Sequence, residues 1–375
     1  MKTYPLETIS IDEAIEQQHR LVDAASRHIL GARMLSEGDL GLVPGIGGPA
    51  TTRDVEKVFA DFFNVEDSVL VRGAGTGAIR EGLCSMVASG TAVLVHDAPV
   101  YPTTVNTFEM MGLKAVKADF NSTASLEKAL SELSGGIESV LVQYTRQKME
   151  DSYNIGEVIS VVKKAMPGIP VITDDNYAVL KVRRTGVELG ADLSAFSMFK
   201  LMGPEGIGIV IGKRKYVENI RKSHYSGGSQ VQGHEALAAL RGMVSASVLL
   251  AVQGRTIEKL CAELNSGRIR GVESAFIANA QSKVIIIRLE KPVSAGVIEA
   301  AGRLGAGSWP VGAESKYEIL PMIYRVSGTF TKADPEGAAY MIRINPNKAG
   351  VDTVVRILKE AISMQQNDDS TSKEK

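Results

Sequence analysis

Ala191-Asp192-Leu193-Ser194-Ala195-Phe196-Ser197-Met198-Phe199-Lys200-Leu201-Met202-Gly203-Pro204 reads as a short apolar strand followed at once by a lysine. Upstream, Val171-Ile172-Thr173 is a second block of strand length, and it runs into Asp174-Asp175-Asn176-Tyr177. Apolar runs of this length are what a strand buried on both faces requires. Similar blocks recur at residues 68–71, 92–95, 115–118 and 139–142, with helical patterns between them. That alternation predicts an α/β fold whose mostly parallel central sheet lies between helices. Gly206-Ile207-Gly208-Ile209-Val210-Ile211-Gly212 follows Lys200 too closely for a crossover helix, so it is expected to run antiparallel.

Outward from this centre the reading is coarser. An amphipathic helix is expected over residues 11–30, then a Gly/Pro-rich segment, 38–49, whose glycines suggest a loop near a cleft. A helical stretch over 234–265 leads to a different, α+β unit that begins with the alternation in 284–289. The expected divisions are residues 1–45 (N-terminal helix and cleft-lining segment), 46–250 (large domain), 251–362 (small domain) and 363–375 (disordered polar tail). With 42 basic and 43 acidic residues, no nucleic-acid-binding surface is expected. Two cysteines, Cys84 and Cys261, make no disulfide framework. The start lacks a signal-peptide pattern and no run is read as long enough to span a bilayer, so the expected setting is the cytoplasm, without membrane contact. No metal site is expected.

In parallel sheets the residues just beyond the strand ends carry the chemistry. The first block is followed by Arg72-Gly73-Ala74-Gly75-Thr76-Gly77-Ala78 opening a helix. Glycines there let amides of Gly75, Thr76 and Gly77 approach an anion, and the spacing is neither the dinucleotide fingerprint nor the nucleotide-triphosphate loop. The second block ends at His96, and Tyr101 follows; either ring could lie against a heteroaromatic ring, with Tyr101 preferred. Gln143 and Arg146 follow the fourth block. A lysine amine can form an imine with an aldehyde cofactor, and a carboxylate from a neighbouring strand can keep that cofactor's pyridine nitrogen protonated. Lys200 and Asp175 are the expected pair for pyridoxal phosphate, although alternation does not separate Asp175 from Asp174. Ser197 is expected to help hold the phosphate.

Asp175-Asn176-Tyr177, Gly190-Ala191-Asp192 and Ser197-Met198-Phe199-Lys200 together resemble the fold-type I pyridoxal phosphate enzymes, with their pyridine-binding aspartate, Gly-Ala-Asp and Schiff-base lysine. Lys200-Leu201-Met202-Gly203-Pro204-Glu205-Gly206-Ile207 and Ile211-Gly212-Lys213 are closer to the selenocysteine synthase and D-glucosaminate-6-phosphate ammonia-lyase group, with Met202 where that group has a glycine. The whole chain before its tail also resembles an uncharacterised bacterial subfamily of aminotransferase-type proteins. Selenium transfer is not expected, since the extra N-terminal domain and the basic character are missing.

The resemblance implies a small amino-acid substrate, Lys200 as the base that removes the Cα proton, and β-elimination to ammonia and a 2-oxo acid. Transamination is the alternative, racemisation is also open, and a non-catalytic binding module of the same fold is the reading from another class. An arginine suits the substrate carboxylate. Arg343, in Tyr340-Met341-Ile342-Arg343-Ile344-Asn345, resembles the family's carboxylate-binding residue, and Arg325 stands second. A homodimer or larger homo-oligomer is expected, with the polar loop 225–230 a candidate to cross the interface.

Overall fold

Each apolar block becomes a strand because its β-branched side chains can be buried on both faces once helices cover the sheet. The computed structural model describes residues 2–133, 136–145, 148–280, 282–309, 314–327, 331 and 334–371. Seven strands form one sheet: β1 (Asp67–Arg72), β2 (Ala92–His96), β3 (Lys114–Ala118), β4 (Ser139–Gln143), β5 (Val171–Asp174), β6 (Leu193–Ser197) and β7 (Ile207–Gly212). Their order is β1-β7-β6-β5-β4-β2-β3. β7 is antiparallel to both neighbours, and the other pairs are parallel. Six strands therefore end at one edge, which gathers Arg72, His96, Gln143, Asp174 and Ser197 there. Val69, Val71, Leu83, Ile172, Leu193 and Val210 fill the core beneath that edge.

Two signature stretches of the sequence turn out to hold the strands together. Asp192 accepts a hydrogen bond from the Val171 amide at 2.8 Å and is paired with Lys163 and Lys213. A side chain on Gly212 would meet the Asp192 carbonyl at 2.2 Å. Gly190-Ala191-Asp192 and Gly212-Lys213 thus clasp β6 to β7 far from the strand ends that carry Lys200.

The chain divides into two compact units, Glu7–Val248 and Met1–Leu6 with Leu249–Lys375. In the first, Ser10 caps the helix Ile11–His28 through a reciprocal bond with Glu13. The segment before the helix Ala50–Phe62 is held by Asp39, whose carboxylate accepts from the Ala50 and Thr51 amides. In the second unit, β8 (Val272–Ala280), β9 (Ser282–Leu289), β10 (Met322–Arg325) and β11 (Met341–Asn345) form an antiparallel sheet of order β10-β11-β9-β8. Its buried face, with Ile285, Ile287, Ile323, Ile342 and Ile344, packs on helices that supply Val297 and Leu358.

Three expectations change. The second unit's sheet begins at β8, whose Glu273-Ser274 interruption coincides with a shift in pairing register and hides the strand's alternation. The last helix, Val351–Thr371, continues through most of the stretch expected to be a disordered tail. The helix Gly233–Leu264 has 32 residues and contains a window of mean hydropathy 1.6, so by length and composition it could cross a bilayer; half of that window is buried inside the protein, the pattern of a core helix.

Candidate active site

Lys200 is displayed by backbone geometry that few sequences allow. After β6 the Met198 amide bonds the Ile207 carbonyl, and a single tight turn, Phe199–Leu201, lifts the lysine out of the strand direction. Met202 closes the turn at φ +62°, a left-handed conformation that glycine adopts at less cost. A methyl on Gly203 would sit 2.7 Å from the Met198 carbonyl oxygen. The Lys200 amine lies 3.3 Å from Asn176 Oδ1 and 3.9 Å from the centre of the Tyr177 ring.

The adjacent carboxylates point to different tasks. Asp175 is fully buried; its Oδ2 accepts from the Gly186 amide at 2.8 Å, and the Thr173 and Ser194 hydroxyls lie in the same network. Burial pushes its carboxyl up to about 6, against the pull of those hydrogen bonds. Asp174 ends β5, and its Oδ1 accepts from the Asn176 amide at 3.1 Å and from Asn176 Nδ2 at 2.7 Å. Burial raises this carboxyl too, opposed by Asn176 and by the Lys200 charge. With His96, Gln143 and Tyr153, Asp174 lines a cavity of about 30 Å³ at the strand ends. The two carboxylates, which alternation left unseparated, thus have different surroundings: Asp175 is bonded to the turn at Gly186, and Asp174 lines the cavity and feels the Lys200 charge.

The glycine loop is formed as its composition suggests. Gly73, at φ +95°, precedes the helix Ala74–Met86. The Gly73 and Ala74 amides both donate to the Gly206 carbonyl, and the Gly77 amide donates to Gly73. That leaves the Gly75 and Thr76 amides at the helix start without a backbone acceptor among the described residues, an arrangement suited to an anion. Gly77 itself is packed: a methyl there would approach the Arg72 carbonyl to 2.0 Å. Ser197, at the end of β6, is buried beside this loop's neighbour Asn176, to which its amide donates at 3.1 Å.

Tyr101 stands at the start of the helix Pro102–Met111, and burial first, then the Asp174 charge, raises its phenol. His96 is engaged elsewhere, since its Nδ1 accepts from the Phe120 amide at 3.1 Å and its Nε2 therefore donates to Asp151 at 3.0 Å. Its ring lies 5.3 Å from that of Phe120 and 4.9 Å from that of Tyr153, and it lines the same cavity as Asp174. Arg146 lies outside the described residues. In the other unit, Arg343 packs over Tyr324 at 5.1 Å with its Nε buried and without a hydrogen-bond partner among the described residues, while Arg325 is exposed over Trp309. Asn176 and Tyr177 are members of the cluster to which residue types alone assigned no role; the signal was the Asp-Asp-Asn-Tyr run itself, directly after a strand.

Residues 50–241 match the family described as aminotransferase class-V, and residues 258–358 match the YhfS-like C-terminal domain. The chain belongs to the class-V aminotransferase family and is a fold-type I pyridoxal phosphate-dependent enzyme. It is similar to YhfS of Escherichia coli (strain K12), with 50% identity over 363 residues, 97% of this chain and 99% of that one. The crystal structure of YhfS, a pyridoxal-5'-phosphate dependent protein, matches with a TM-score of 0.95 over 97% of this chain and 100% of that chain. A UPF0425 pyridoxal phosphate-dependent protein of Methanothermobacter thermautotrophicus is 23% identical over 222 residues, 57% of this chain and 56% of its own. CalE6, a methionine gamma lyase from Micromonospora echinospora, shares the architecture at 16% identity, with a TM-score of 0.70 over 92% of this chain and 98% of that one. Pyridoxal phosphate is the cofactor, and the groups at the strand ends fit it: free amides at a helix start for a phosphate, a buried carboxylate for a pyridinium, and an amine for an aldehyde.

Proposed function

We propose that this enzyme is a lyase that removes the Cα proton of a small amino acid, expels a β-substituent, and releases ammonia and a 2-oxo acid. The observation that carries the reading is the Lys200 amine held within one hydrogen-bonded cluster with Asn176 and the Asp174 carboxylate. When bound, the cofactor supplies an electron-withdrawing ring conjugated to the substrate Cα. Asp174 keeps a proton on the ring nitrogen, which a buried carboxylate beside a cation can do. The Gly75 and Thr76 amides and the Ser197 hydroxyl bind the phosphate, and Tyr101 supplies an aromatic face. Lys200 would take the Cα proton. The pair of electrons from the C–H bond forms a Cα–Cβ double bond as the Cβ substituent departs with its own pair; a proton added at Cβ then shifts the double bond to Cα=N, and water replaces nitrogen at Cα, giving the 2-oxo acid and ammonia.

The similarity of residues 200–213 to ammonia-lyases supports elimination. The class-V match over residues 50–241 supports aminotransfer as the second reading, with Lys200 moving the same proton from Cα to the cofactor. An amino-acid panel assayed together for ammonia, 2-oxo acid and the amine form of the cofactor separates the two. Free ammonia in step with 2-oxo acid supports the lyase; accumulation of the amine form, reset by a 2-oxo acid, replaces it with the aminotransferase.

The setting we propose is the cytoplasm, in keeping with two free cysteines, Cys84 and Cys261. The working form is a homodimer or larger: Leu30, Leu35, Leu40, Leu42 and Tyr225 are large and exposed on the first unit, with Leu42 and Tyr225 lining one surface groove, side chains that a second copy would cover. Sedimentation of an active monomer would remove that part of the proposal.

A further inference from the structure

Asn176 touches every part of the proposed site that lies at the ends of β5 and β6. Its Oδ1 accepts from the Ser197 amide at 3.1 Å and the Lys200 amine at 3.3 Å, while its Nδ2 donates to Asp174 at 2.7 Å. The orientation of the amide follows from chemistry. Turned over, its NH2 would face two donors and its carbonyl would face a carboxylate. Among side chains of this size, only a carboxamide both donates to Asp174 and accepts from Lys200. An aspartate would put a second carboxylate against the first, and an alanine would leave both partners unheld.

The same side chain reaches the glycine loop. A methyl built on Gly75 would lie 2.4 Å from Asn176 Oδ1 and 2.6 Å from Nδ2, far inside contact distance. Both residues are buried, with Asn176 only 9% exposed, so neither can swing aside into water.

We propose that Asn176 is a positioning residue that fixes the Lys200 amine against the Asp174 carboxylate, and that residue 75 is glycine because the Asn176 amide occupies the space its side chain would need. The anion cradle at the helix start, the amine and the carboxylate are then tied through a single side chain. What this geometry is for rests on the pyridoxal phosphate site proposed above; the coupling itself does not.

The test uses Asn176→Asp, Asn176→Ala, Gly75→Ala and the Gly75→Ala/Asn176→Ala double variant of the full chain. In the cofactor-free protein, the pH dependence of Lys200 acetylation by trace acetic anhydride, read by peptide mass, reports the amine directly. Asn176→Asp is expected to raise its midpoint by about one pH unit or more, because a new carboxylate favours the ammonium. A midpoint unmoved by Asn176→Asp overturns the positioning role. Pyridoxal phosphate affinity, followed by absorbance titration, is expected to fall about tenfold or more in each single variant, the scale of 1.4 kcal/mol, and only slightly further in the double variant. Independent, multiplying losses overturn the coupling of Gly75 to Asn176. Should Gly75→Ala fail to fold, rescue of folding in the double variant supports the coupling and continued failure contradicts it. A wild-type protein that takes up no pyridoxal phosphate sinks the cofactor-site assignments, while the acetylation profiles still decide the role of Asn176.

Discussion

The ends of β5 and β6 in the first unit and the end of β11 in the second both carry buried polar side chains, and they satisfy them differently. Asp174, Asn176, Ser197 and Lys200 are bonded to one another, and beside them Asp175 Oδ1 alone is buried without a hydrogen-bond partner among the described residues. Around β11, Arg343 Nε, Asn345 Nδ2, Asn347 Oδ1 and the Ser315 hydroxyl are buried without a hydrogen-bond partner among the described residues. A buried polar atom left unpaired costs about 1–3 kcal/mol, so the two regions stand on different energetic footings. The first is a preassembled constellation whose geometry the fold itself maintains. The second is satisfied in part, since Asn345 Oδ1 accepts from Gln253 Nε2 and Asn347 Nδ2 donates to the Leu320 carbonyl, and the atoms left over are the pattern of a polar cluster with room for a further partner.

Changing Lys200 should give the largest effect. Lys200→Ala is expected to lower kcat by about 10³-fold or more with the melting temperature little changed, because the residue's contribution is to proton transfer. A variant with near-normal turnover would remove Lys200 from the chemistry. Next comes the contrast between neighbours. Asp174→Asn should lower kcat by about 10²-fold while the fold persists, whereas Asp175→Ala should cost about 1–3 kcal/mol in denaturant unfolding, because the Gly186 amide loses its buried acceptor, and should spare more of the turnover. The reverse ranking in activity would return the ring-nitrogen role to Asp175.

Arg343 sharpens the comparison from the other unit. Arg343→Met removes an Nε without a hydrogen-bond partner among the described residues but also the contact with Tyr324, so stability should fall by about 1 kcal/mol, while KM for the amino acid rises about 10-fold or more if this arginine meets the carboxylate. Unchanged KM would leave its role to a different cation. The smallest effect is on pH. Asp175 titrates at about 6 in the fold instead of its ordinary 3.8, so the native state holds a proton that the unfolded chain has lost, and stability should fall as pH rises from about 4 through about 6. Urea midpoints across that range should show the decline in the wild type and a smaller one in Asp175→Asn.

Much of the first unit could be read before any coordinates. The strand blocks, the antiparallel β7 and the lysine turn follow from burial, spacing and the brevity of the 200–207 connection. What could not be read was direction. Strand alternation stops at Asp174, and the turn that follows, with the Ala178 amide bonded to the Asp175 carbonyl, sets the two carboxylates in different surroundings. His96 was ambiguous for a related reason: its partners Phe120 and Asp151 are remote in sequence, so its engagement appears only when the strands assemble. Asn176 was visible as a residue but not as a link, since its value lies in partners on β6 and on the glycine loop. In the second unit, the interruption at Glu273-Ser274 concealed β8.

Every role proposed above depends on Lys200 carrying the cofactor. Borohydride reduction of the pyridoxal phosphate-loaded protein, followed by peptide mapping, reads the attachment point. A single modified peptide with the pyridoxyl group on Lys200 is expected; modification confined to any other lysine, with Lys200 recovered intact, would remove Lys200 from the site.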